Sequence, residues 1–293
     1  VPRSLKPTSS QRDLLLAGVA FLVAFALWQM QGLFFLTYPF RLFVTMIHEL
    51  GHGVSAVLTG GTFVRFEVTP RGAGVAYTRG GWPFVIIQAG YLGTALFGAV
   101  LLYLTYHNKR PGRVAIGIGV FIGIVTLFFS GISLAKLSII EKILAAAVIL
   151  AGGFLVLTQP TDRGRYIGLG VLGIGGLLVL LFAGGGNLLT IVVGLATALL
   201  LITIGARASR DVVVVTLTFL AFLTGLQAIT DAWVLLRIVS LPHSMMPLND
   251  ASSMAHAVGG TAGLWALIWI AVDVLIFGTS VYVTLIRPTR RDA

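Results

Sequence analysis

Apolar residues run along this chain in long blocks, separated by short polar or basic stretches. The first block covers 14–36 and is broken at Pro39-Phe40-Arg41. A second covers 42–58 and stops at Gly60-Gly61. Six more follow at 84–106, 114–135, 139–158, 166–183, 187–205 and 211–236, and a last one at 260–286. Most come close to or exceed the roughly 20 apolar residues a helix needs to cross a bilayer. The block at 42–58 is short for a crossing, so it either spans or re-enters. The pattern predicts an all-α polytopic membrane protein with eight or nine transmembrane or re-entrant helices. It reads as one integral membrane domain over 1–293. Within it, 1–106 holds the first spans, 107–210 holds Gly-rich helix pairs, and 211–293 holds a distal polar region and the last span.

One stretch breaks the pattern. Thr62-Phe63-Val64-Arg65-Phe66-Glu67-Val68 alternates and is rich in β-branched and aromatic residues, the signature of a strand. Pro70-Arg71-Gly72-Ala73-Gly74 reads as a turn, and Val75-Ala76-Tyr77-Thr78 as a returning strand. A small β-hairpin therefore follows the second block. Its residues Thr62, Phe63, Val64, Arg65 and Phe66 are candidates for holding an extended peptide by strand addition.

Composition confirms lipid as the main solvent. The chain is 57% hydrophobic and only 10% charged, against about 25% charged in soluble domains. Its 36 glycines suit close helix–helix approach. With no cysteine, disulfides, thiolate metal sites and cysteine nucleophiles are excluded. The net charge is +10, but the Lys and Arg residues lie between the apolar blocks. They are topology signals and lipid-headgroup contacts rather than a nucleic-acid footprint. The basic clusters at 109–113, 163–165, 207–210 and 287–291 share one side, and the N-terminus joins them if the second block re-enters. The positive-inside bias makes that side cytoplasmic and turns the hairpin outward.

The second block carries His48-Glu49-Leu50-Gly51-His52. Residues i and i+4 of a helix share a face, so both imidazoles can hold one zinc ion. Glu49 is placed to take a proton from a zinc-bound water, the general-base role in metal-assisted hydrolysis. Zinc needs a third protein ligand and an open position. Without cysteine the third ligand must be a carboxylate or histidine. The candidates are Asp250, Asp231, Glu67, His243 and His256. Six crossings separate the hairpin from the loop around 240–250, so Asp250 lies on the same membrane side as the C-terminal end of the motif helix. Asp250 is the first choice on that parity, and Asp231, inside an apolar block, is the alternative. As a structural residue, Asp250 would serve as a helix N-cap, and Asp231 would bond to a neighbouring helix.

His48-Glu49-Leu50-Gly51-His52-Gly53 in an early apolar helix, the hairpin after it, and Ala89-Gly90-Tyr91-Leu92-Gly93 opening the next span together resemble the site-2 protease family of intramembrane zinc metalloproteases, in its compact bacterial branch. The resemblance implies zinc held by His48, His52 and Asp250, with Glu49 as catalytic base. It also implies membrane-protein substrates, a multi-pass location in the bacterial inner membrane, and a site worked from the cytoplasmic side. The family's distal motif usually reads Asn…Pro…Asp-Gly; here Asn249 directly precedes Asp250 and Ala251 replaces the glycine. Two other readings compete. One is a non-catalytic subunit or scaffold of a larger membrane assembly that retains the motif. The other is a transporter using Asp231 and Asp273 as proton-relay groups.

Overall fold

The computed structural model describes residues 9–29, 34–131, 188–238 and 249–287, together with 147, 164, 167–171 and 173. The chain folds as a bundle of helices with one small hairpin. In order these are α1 (Ser9–Gln29), α2 (Phe34–Leu58), β1 (Thr62–Val68), β2 (Gly74–Arg79), α3 (Pro83–His107), α4 (Pro111–Phe129), α5 (Leu188–Arg207), α6 (Arg210–Ile238), α7 (Asp250–Val258) and α8 (Ala262–Val281), which continues as a π-turn over Tyr282–Ile286. Among the described residues, five segments are long and apolar enough to cross a membrane: α3, α4, α5, α6, and α8 with its extension. The protein is a helical membrane protein. The apolar blocks at 139–158 and 166–183 lie outside the described residues, apart from the few positions named above.

One boundary differs from the sequence pattern. The expected break at Pro39 is absent, and α2 starts at Phe34 and runs through it. Pro39 is the sixth residue of α2, one turn past its start, and its missing N–H leaves one intrahelical bond unmade without ending the helix. The far end of α2 is set by glycine. Gly60 takes φ 82°, and the amides of Gly60 and Gly61 close onto the carbonyls of Val57 and Ala56 (3.1 and 2.8 Å). That paired closure needs a left-handed residue, which glycine adopts without a Cβ penalty.

Helix α3 is the central post. Close approach through small residues does the packing, as expected where lipid removes most of the hydrophobic drive. A Cβ on Gly98 would lie 2.7 Å from the Thr224 hydroxyl and 2.8 Å from the Ala221 carbonyl of α6. Antiparallel α4 and α5 touch in the same way at three levels, Gly112 on Gly205, Gly119 on Ala198, and Thr126 on Gly194. The outward faces keep large apolar side chains exposed, among them Leu15, Phe128 and Leu275, as a lipid-facing surface requires.

The two ends of the bundle differ. At one end Arg12 pairs with Asp211, Arg210 with Asp13 (2.9 Å), and Tyr106 at the foot of α3 reaches the Asp13 carbonyl (3.4 Å). The start of α1 therefore sits with the basic stretches at 108–110 and 207–210. At the other end Trp82, Phe84 and Trp265 form an aromatic cluster where α3 and α8 begin, the type of belt found at a membrane interface.

The hairpin forms where alternation predicted it. β1 and β2 pair antiparallel with Phe66 opposite Ala76, and a bulge lies between Phe63 and Arg65. The Thr69–Ala73 turn closes through Gly72, at φ 81°. Phe63, Phe66 and Val68 point into the core. Phe63 stacks on Phe129 at 4.4 Å, and the Val68 amide donates to the Thr190 hydroxyl at 2.7 Å. Folding back along α2, the hairpin is tied down by Tyr38 to the Pro70 carbonyl (2.9 Å) and Thr45 to the Gly72 carbonyl (2.8 Å).

Candidate metal centre

One turn of α2 presents His48 and His52 on the same face, and the start of α7 brings Asp250 to them. His48 Nε2 lies 3.2 Å from Asp250 Oδ2 and 3.2 Å from His52 Nε2; His52 Nε2 lies 3.6 Å from the same carboxylate oxygen. Among the described residues these three form the one such group of possible metal ligands. Ligands about 2.0–2.1 Å from a tetrahedral zinc stand about 3.3 Å from one another. The three observed separations fit that edge.

Each ligand is oriented from behind. His52 donates from Nδ1 to the Ile86 carbonyl at 2.7 Å, which fixes the tautomer and leaves the Nε2 lone pair facing the group. His48 packs edge-on against Tyr91 at 4.8 Å, and Tyr91 stacks on Trp269 at 5.0 Å. Asp250 occupies the first turn of α7. The cap of that helix is Asn249, whose side chain accepts the Ser252 amide at 2.9 Å, so the capping role expected of Asp250 falls to its neighbour. Burial would raise the Asp250 carboxyl. Hydrogen bonding and charge from the two imidazoles outweigh it and hold the group below the usual carboxylate range.

Two glycines make the room. A Cβ on Gly90 would stand 2.3 Å from His48 Nε2 and 2.5 Å from His52 Nε2, so the wall of α3 is hollowed just where an ion would sit. A Cβ on Gly74 would stand 2.4 Å from Glu49 Oε1, so β2 presses directly on the buried Glu49. Both positions escape sequence reasoning, since a residue without a side chain announces no chemistry. Gly90 lies eight residues along α3 from Trp82, about 12 Å at 1.5 Å per residue, which sets the group beside the apolar length of α3, away from the aromatic cluster at its start.

A cavity of about 620 Å³ opens onto the group. Glu49, His48, His52 and Asp250 line it, as do Tyr91 and the stretch 72–76 with Thr78. Of the hairpin residues expected to face substrate, Thr62, Phe63, Val64, Arg65 and Phe66 do not line it. β1 is the covered strand, with Phe63 and Phe66 in the core, and β2 presents its outer edge. The other candidate ligands stand apart. Asp231 lines the cavity but accepts from Gln227 (2.6 Å) and is outside the ligand group. Glu67 pairs with Arg65 at 3.2 Å. His256 is exposed on α7, and His243 lies outside the described residues.

A helix bearing two histidines and an acid, a hairpin folded onto it and a distal carboxylate closing the group sit among the five apolar helices of a membrane protein. The family model described as Peptidase M50B-like matches residues 16–150 and 142–280, and the chain belongs to this peptidase family. No curated protein and no solved structure matches the chain significantly.

Proposed function

We propose that the protein is an intramembrane zinc endopeptidase that hydrolyses peptide bonds in or near the transmembrane segments of other membrane proteins. The observation that carries this reading is the spacing of the His48, His52 and Asp250 ligand atoms beside a buried glutamate. Two imidazoles and one carboxylate suit zinc and leave a fourth position open. When bound, the ion supplies a Lewis acid and lowers the pKa of water at that position.

The chain's own residues do the rest. Glu49 takes the proton of the attacking water and returns it to the leaving amine. Gly74 lets β2 close over Glu49 and fix its carboxylate. A transmembrane helix hides its carbonyls in intrahelical bonds, so a substrate must unwind locally before attack. The outer edge of β2 offers replacement main-chain bonds to the unwound segment. Because the start of α1 joins the basic stretches, the positive-inside bias puts that end in the cytoplasm and the metal group toward the opposite face. The setting implied by the family resemblance is a bacterial inner membrane.

The test is cleavage of a single-span substrate by the purified protein in liposomes. Chelation is expected to stop cleavage and added zinc to restore it. Cleavage indifferent to chelation contradicts the reading. A protein with its full complement of metal that cuts nothing supports a non-catalytic subunit.

A further inference from the structure

Asp231 is a carboxylate at membrane depth that the proposed chemistry does not use. It belongs to the face of α6 that lines the cavity, with Val234, Leu235 and Ile238 at spacings of three, four and seven. The outer edge of β2 bounds the same cavity, and the metal ligands line it between these walls. A segment lying along β2 over the ligands therefore meets the α6 face, which is apolar except at Asp231.

An ionisable group in this setting is expensive unless paired. Gln227, one turn back on α6, donates to Asp231 Oδ1 at 2.6 Å, a neutral tether, while Arg41 and His48 of α2 act on the carboxylate through space. The cavity lining holds three carboxylates, Glu49, Asp231 and Asp250. One divalent ion held beside neutral imidazoles balances two of them, and the third, Asp231, has the Arg41 guanidinium acting on it only from a distance, its hydrogen bond coming from the neutral Gln227. A hydrocarbon side chain set against that carboxylate would strip its hydration and give nothing back. A cationic side chain would restore both charge and hydrogen bond, and hydrogen bonds to charged groups are the stronger kind.

We propose that Asp231 is a specificity residue of this site, receiving a lysine or arginine side chain of the substrate segment that lies between β2 and α6. This rests on the protease reading above. The protein then selects, among membrane segments, those carrying a basic residue close to the scissile bond.

The experiment uses the full-length protein in liposomes and a set of single-span substrates. They are identical except for Leu, Gln, Lys or Glu at each position flanking the cut. At one of these positions the wild type is expected to prefer Lys over Leu in kcat/KM by on the order of tenfold or more, with Glu the poorest. Asp231→Asn keeps the Gln227 contact and is expected to bring Lys and Leu within a factor of about three, with zinc content unchanged. Asp231→Ser is a second variant with the same expected levelling. A purely structural role would slow all substrates alike and preserve their ranking, and that result overturns the proposal. So does a Lys preference that survives both variants, or loss of zinc in Asp231→Asn, which would make the residue a ligand. Binding of the same substrates to Glu49→Gln, read by fluorescence, separates the two ideas. A Lys preference in binding that requires Asp231, without cleavage by the wild type, sinks the protease reading and leaves the acidic subsite standing. Zinc-dependent cleavage with no Lys preference sinks the subsite alone.

Discussion

Glu49→Gln is expected to lower cleavage by about 10²–10⁴, the usual contribution of a positioned general base, while the protein keeps its metal. Glutamine has the shape of glutamate but accepts no proton. The three candidate ligand atoms come from His48, His52 and Asp250, so the substitution leaves all of them in place. Glu49 is buried beneath β2, where Gly74 approaches within what would be 2.4 Å of a Cβ. A near-isosteric amide fits that space better than any smaller or larger residue. Zinc content, helicity and substrate binding should therefore match wild type, with the loss appearing in kcat. Wild-type turnover by Glu49→Gln would remove the residue from the mechanism. Loss of zinc would make it a ligand instead of a base.

Gly90→Ala is expected to have an effect of comparable size by another route, at the metal. The added methyl would fall 2.3 Å and 2.5 Å from the two imidazole nitrogens that face the group, well inside any real contact. Helix α3 cannot simply retreat. Gly51 of α2 packs so tightly on Ala89 that a Cβ there would lie 2.1 Å from its carbonyl, and the Ile86 carbonyl behind His52 is part of the same helix. The imidazoles must rotate away, and the ligand triangle opens. Loss of a residue that merely orients a ligand reduces metal affinity by about 10–100-fold; displacing two ligand atoms at once should reach the upper figure or exceed it. Alanine is the better helix former, so circular dichroism should show the helices intact. Competition with a zinc-binding dye measures the affinity. Full-strength binding in Gly90→Ala would mean that the ion sits elsewhere.

Much of the fold was legible because lipid imposes a simple grammar of long apolar blocks, and the long described helices overlap those blocks, while α7 (Asp250–Val258) forms in the polar stretch between two of them. The hairpin was legible because alternation is rare in such a chain. Pro39 misled because a proline inside a helix removes one hydrogen bond and need not end it, and α2 continues through this one. At the site, the spacing of His48, Glu49 and His52 carries its own geometry, since i and i+4 share a helix face. Asp250 came from counting crossings, and the structure sets it 3.2 Å from His48. Which hairpin strand faces the cavity was not readable, because alternation gives two faces without saying what covers them. Burial of Phe63 and Phe66 against the core makes β2 the open edge. The hollow at Gly90, the pressure of Gly74 on Glu49 and the Ile86 carbonyl behind His52 were invisible for a simpler reason: each is a backbone feature. Asn249 displaced Asp250 from the cap because the adjacent residue begins the helix one position earlier, a distinction finer than sequence boundaries allow.

Zinc per chain, measured by elemental analysis on purified wild type and on Asp250→Ala, tests the central claim most directly. Wild type is expected to carry close to one zinc per chain and Asp250→Ala clearly less, because removing one of three protein ligands leaves two imidazoles on a single helix. A full zinc complement in Asp250→Ala, or none in carefully prepared wild type, would contradict that claim.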